Sequence, residues 1–225
     1  MSNSHLIIEK SAKNTEIMLA YFLQKKVYPD KTLYIGDGYG KFPDIRTKDE
    51  LLGIEVVQAE PAEDFAANMI WKKYDEFKGN ARKLKTYIKT KLKHFETLLF
   101  VKGNKVEAWK IGLYGHSAYY SKHIFETSIN RKLEKLNEGN YSEIDGEINL
   151  GIISIFRAKP DRIIKQIQEK YDELKMLYPL KFKKIFVLFT DALFVIDSGK
   201  ITKHQISDEE LELLKSDFKT LKPKK

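Results

Sequence analysis

Gly40 to Glu60 reads GKFPDIRTKDELLGIEVVQAE, and this stretch decides the fold. Leu51–Gln58 is apolar on both sides of Glu55, the pattern of a central strand covered on both faces rather than a half-solvated one. The segment around Phe42–Ile45 returns from the turn-forming cluster Gly36-Asp37-Gly38-Tyr39-Gly40. Asp44 therefore stands on or beside one short strand and Glu55 in the middle of the next. Adjacent strands lie about 4.8 Å apart, so two carboxylates in register could share a hard cation. A carboxylate set between Ile54 and Val56 is costly to bury unless it is paired, protonated or bound to metal.

Working outward, TEIMLAYFLQKK reads as a first helix ended by Tyr28-Pro29-Asp30, and Leu33-Tyr34-Ile35 as the strand before the glycine cluster. Downstream of Glu55, a helical stretch opens near Pro61-Ala62-Glu63-Asp64, with acids in its first turn. A second helix follows over ARKLKTYIKTKLKHF, its stripe Leu84, Ile88, Leu92 and Phe95. Thr97–Val101 reads as a buried strand. SKHIFETSINRKLEKLN is a further helix with Phe125, Ile129, Leu133 and Leu136 inward. The last third alternates: strand Asn149–Phe156, helix Asp161–Leu177, then strands Lys184–Thr190 and Leu193–Asp197. The Lys-rich tail from Lys215 is expected to fray. This order indicates an α/β domain with a mixed central sheet flanked by helices.

The helix, three strands, helix, strand order, with Pro43-Asp44 on the second strand and Glu55 in an apolar third, resembles the PD-(D/E)xK nuclease superfamily over about Thr15 to Val101. The resemblance implies a restriction-endonuclease-like core and a metal-dependent endonuclease, a hydrolase of nucleic-acid phosphodiesters. Asp44 and Glu55 would hold Mg²⁺ or Mn²⁺, and Glu16 of the first helix would be an added acid. Such an ion polarises the phosphoryl group and lowers the pKa of an attacking water. The family's lysine does not carry over, since Val57 stands two positions after Glu55. Gln58 would substitute through a bulge, a lysine such as Lys72 or Lys73 would reach back from the following helix, or the site is inactive. The alternative function is thus a nuclease-fold module that binds nucleic acid or a protein without cutting.

The totals are compatible with either. The chain of 225 residues carries a net charge of +8, and only five of its 40 cations are arginine, so phosphate contact should outweigh base readout. From Gly79 to Phe95 there is no acid, and Arg82, Lys85, Lys89 and Lys93 suit a backbone-binding face, joined by Arg131, Lys132 and Lys135 of the later helix. DNA is the expected partner ahead of RNA, and the chain itself, as a homodimer, a further one. The absence of cysteine excludes disulfides, thiolate zinc and cysteine nucleophiles. No apolar run suggests a signal or a membrane span, which gives a cytoplasmic expectation. The chain is read as one domain: a core at about 15–101, a helical and βα extension at about 102–214, and a basic tail at 215–225.

Overall fold

A computed structural model describes residues 5–36, 42–59, 70, 73–91, 96–112, 117–141, 144–154 and 160–221. The chain divides into two compact units, residues 1–59 with 125–225, and residues 60–124.

The first unit is built on an eight-stranded mixed sheet. Its strands are β1 (Leu6–Ile8), β2 (Leu33–Ile35), β3 (Ile45–Thr47), β4 (Leu52–Ala59), β7 (Glu147–Ser154), β8 (Lys184–Leu188), β9 (Ala192–Asp197) and β10 (Lys200–Gln205), adjacent in that order. β2, β3 and β4 pair antiparallel, whereas β4, β7 and β8 run parallel. β4 is central because Val56, Ile54 and Leu52 face one layer while Gly53, Glu55 and Val57 face the other. Helix α1 (Asn14–Lys26) covers the first face: a Cβ on Gly151 of β7 would meet Leu19 Cδ2 at 2.4 Å. Phe22 and Leu23 join Ile54, Val56 and Leu188 in one buried cluster there, which takes in Leu214 of the C-terminal helix.

Helix α3 (Ser117–Asn137) carries the buried stripe Phe125, Ile129, Leu133 and Leu136, as its spacing predicts. It precedes β7, so the chain runs α1, β2, β3, β4, α3, β7, with β7 parallel to β4. Helix α4 (Pro160–Leu174) ends in a short 3₁₀ turn (Lys175–Leu177), and α5 (Asp208–Leu221) closes the chain. The tail expected to fray from Lys215 thus stays helical to Leu221. Among the described residues, no helix is long and apolar enough to cross a membrane.

The second unit holds α2 (Ala81–Lys91) and the hairpin β5 (Glu96–Lys102) and β6 (Lys105–Gly112). The strand expected at Thr97–Val101 is β5, but it pairs with β6 in a separate two-stranded sheet; the strand beside β4 is β7. The cause is local: Gly103, at φ 60°, turns the chain straight back at Gly103-Asn104. Ala81, Leu84 and Ile88 of α2 pack with Val106 in a small core, while Arg82, Lys85 and Lys89 are exposed. The helical expectation from Pro61, Leu92 and Phe95, Lys72 and Lys93 all lie outside the described residues.

Candidate active site

The β3–β4 pairing sets Ile45 against Ile54, so Asp44, one residue before β3, comes opposite Glu55. Asp44 is fixed from both sides. Its carbonyl accepts from the Gly36 amide at 2.8 Å, and its carboxylate Oδ2 accepts from the Val56 amide at 2.8 Å. The side chain thus takes over as acceptor where the β3 main chain stops pairing. Pro43 explains why a proline precedes it. A Cβ on Gly53 would meet Pro43 Cγ at 2.6 Å, so the ring packs over a bare backbone and seats Asp44 against β4.

Asp44 and Glu55 are both buried, at 7% and 5% exposure. Burial and then the Glu55 carboxylate push the Asp44 pKa up to about 7; Glu16 adds to this, while the Val56 amide and Lys132 oppose it. The folded chain therefore holds the Asp44 proton between about pH 4 and pH 7, where the unfolded chain has lost it. Metal-free stability should fall as pH rises through that window and level off above it. Asp44→Asn should remove this fall and raise metal-free stability at about pH 8 by on the order of 2 kcal/mol. Urea unfolding in EDTA at about pH 5 and pH 8 checks this; a wild-type slope that survives in Asp44→Asn would assign it elsewhere.

Glu55 meets a lysine that its local sequence does not contain. Lys132 of α3 pairs with Glu55 Oε1, and Lys135, one turn away by helical spacing, lies 3.8 Å from the same oxygen. The Lys132 and Glu55 side chains are 13% and 6% exposed, so the pair is largely desolvated. Neither local substitute for the missing lysine takes this place. β4 pairs with β7 one residue to one from Leu52 to Ala59, without the bulge that would re-aim Gln58. Lys73 pairs with Glu76 inside the second unit. The spacing of α3 made Lys132 visible as a cation; nothing in the sequence linked it to Glu55, 77 residues away.

Glu16 is buried beside these groups, and its carboxylate holds the start of α1. Oε2 accepts from the Lys13 amide and Oε1 from Lys13 Nζ, both at 2.7 Å. Glu16, Gln58, Arg131, Lys132 and Lys135 share a cleft of about 380 Å³ with Lys13, Thr15, Val56, Val57, Thr127 and Ser128. Four cations and three hydroxyls against one acid make it a cleft for an anion.

One further group was missed by the sequence reading. Gly139, at φ 78°, ends α3, and the turn that follows buries Tyr141 at 5% exposure. Burial first, then Glu55 and Asp44, push its ionisation far above the usual phenol range, which places the ring beside both carboxylates. It nevertheless makes no hydrogen bond of full geometry among the described residues.

Among the described residues, no group of three or more His, Cys, Asp or Glu is placed to hold a metal ion. The donor set is the pair Asp44 and Glu55 with an orphaned phenol alongside. That set fits a small hard cation, which takes one or two carboxylates and keeps several waters. Comparison with known proteins finds no matching family, no matching curated protein and no matching solved structure.

Proposed function

We propose that the protein is a metal-dependent nuclease of the PD-(D/E)xK type, hydrolysing nucleic-acid phosphodiesters, with DNA ahead of RNA. The observation that carries the reading is Asp44 set opposite Glu55, with Lys132 on Glu55 at the edge of a basic cleft. The order α1, β2, β3, β4, α3, β7 supports it, since it is the arrangement that the resemblance implies, with α3 and β7 supplying the last helix and strand.

In this reading Asp44 and Glu55 hold Mg²⁺ or Mn²⁺, and the ion supplies phosphoryl polarisation and a more acidic water. Lys132 takes the role of the missing motif lysine, arriving from α3 instead of from two residues after Glu55. Its ammonium keeps Glu55 neutralised in the metal-free protein and stands ready to steady charge on a phosphate. Arg131 and Lys135 draw the backbone into the cleft, and Lys85, Lys89 and Arg82 offer a second basic face on the other unit.

A non-cutting nucleic-acid-binding module is the second reading, and the closed Lys132–Glu55 pair is the observation that favours it. Incubation with single- and double-stranded DNA and RNA separates the two. Cleavage that requires Mg²⁺ or Mn²⁺ and stops in EDTA is expected; salt-sensitive binding without cleavage on all four substrates would select the module.

A further inference from the structure

The Tyr141 hydroxyl is a buried donor with nothing to donate to. A hydroxyl left so costs about 1–3 kcal/mol, which a phenylalanine at the same place would avoid. Its neighbours are the carboxylates of the proposed metal pair, and the nearer in effect is Glu55. In the metal-free protein Glu55 Oε1 already has two ammonium partners, Lys132 and Lys135. A cation arriving between Asp44 and Glu55 changes this. Two like charges cannot approach one oxygen, so the carboxylate must turn an oxygen from the lysines to the ion, and its orientation then needs a neutral donor.

We propose that Tyr141 is a positioning residue for the metal pair: its hydroxyl, idle in the metal-free protein, donates to Glu55 when that carboxylate turns to hold a divalent cation. The inference rests on the nuclease reading of Asp44 and Glu55. Its signature is a residue that matters to the loaded protein and not to the empty one. Groups that orient metal-ligating carboxylates change affinity by about 10- to 100-fold. A merely structural tyrosine would show the reverse, losing stability with or without metal.

The test is Tyr141→Phe, with Tyr28→Phe as control, because Tyr28 carries the other buried hydroxyl without a partner and packs on Phe186. Thermal unfolding is followed in EDTA and across a Mn²⁺ titration for wild type and both variants. In EDTA, Tyr141→Phe should match or exceed wild type in midpoint. Its Mn²⁺ affinity, read from the midpoint rise, should fall about 10-fold or more, while Tyr28→Phe keeps wild-type affinity. Equal Mn²⁺ affinity in wild type and Tyr141→Phe overturns the inference and leaves the metal site standing. A lowered midpoint in EDTA also overturns it, by showing that the hydroxyl was already bonded. No midpoint rise in wild type itself defeats the nuclease reading, and the role of Tyr141 with it.

Discussion

Glu55→Gln should lower metal-dependent cleavage by on the order of 10²- to 10³-fold while leaving nucleic-acid binding at or above the wild-type level. The substitution keeps the shape of the side chain on β4 and removes the charge that would face the cation. It also frees Lys132 from its partner, and a carboxylate is gone from the edge of a cleft lined by Lys13, Arg131, Lys132 and Lys135. Affinity for a polyanion should therefore hold or rise even as turnover collapses. Cleavage rates are compared per folded molecule, with unfolding followed in the same buffer. Undiminished cleavage by Glu55→Gln would place the chemistry away from β4.

The second large effect is on stability. Lys132→Met keeps most of the apolar stem but strips the ammonium from a carboxylate that is 6% exposed. Breaking a buried pair from one side costs about 3–5 kcal/mol, because the remaining charge is left without compensation. Lys135, at 3.8 Å and more exposed, makes up only part of the loss. Adding Glu55→Gln to Lys132→Met should restore most of the stability, since the charge that suffered is removed with it. Chemical denaturation of the two single variants and the double variant gives the coupling. A loss below about 1 kcal/mol in Lys132→Met would mean that the contact is a surface pair of the ordinary, weak kind.

Much of the frame was legible in the sequence because its signals are local. Leu33–Ile35 lies as read, and the Phe125, Ile129, Leu133, Leu136 stripe is buried because a 3.6-residue period leaves no other face for it. The apolar run around Glu55 marked a strand with neighbours on both sides. Other elements gave little to read. β1 is three residues long, and β10 is almost wholly exposed, so neither shows the alternation that announces a half-buried strand. β10 is held instead by a tight turn at Ser198 and Gly199, both at positive φ, that folds it onto β9. Two signals were present and passed over. Ser207 and Glu210 cap α5 reciprocally, at 3.0 and 3.2 Å, in the S-x-x-E spacing of a helix start. Gly103-Asn104 between two apolar runs was a hairpin signal that would have paired β5 with β6.

The candidate site divides the same way. Asp44 and Glu55 were readable because a short turn fixes their register. Lys132 was not, because its contact depends on how α3 lies over β4, and no pattern within either element encodes that. Tyr141 was silent for a similar reason: a single aromatic after a helix is ordinary, and only the turn at Gly139 brings it to the carboxylates.

The central claim, that Asp44 and Glu55 together hold a divalent cation, is tested most directly by calorimetric titration of Mn²⁺ into the nucleic-acid-free protein at about pH 8, above the Asp44 pKa of about 7. The account predicts saturable binding of one ion per chain, lost when Asp44→Asn or Glu55→Gln is titrated in its place. Absence of binding in the wild-type protein, or the same isotherm in both variants, would contradict it.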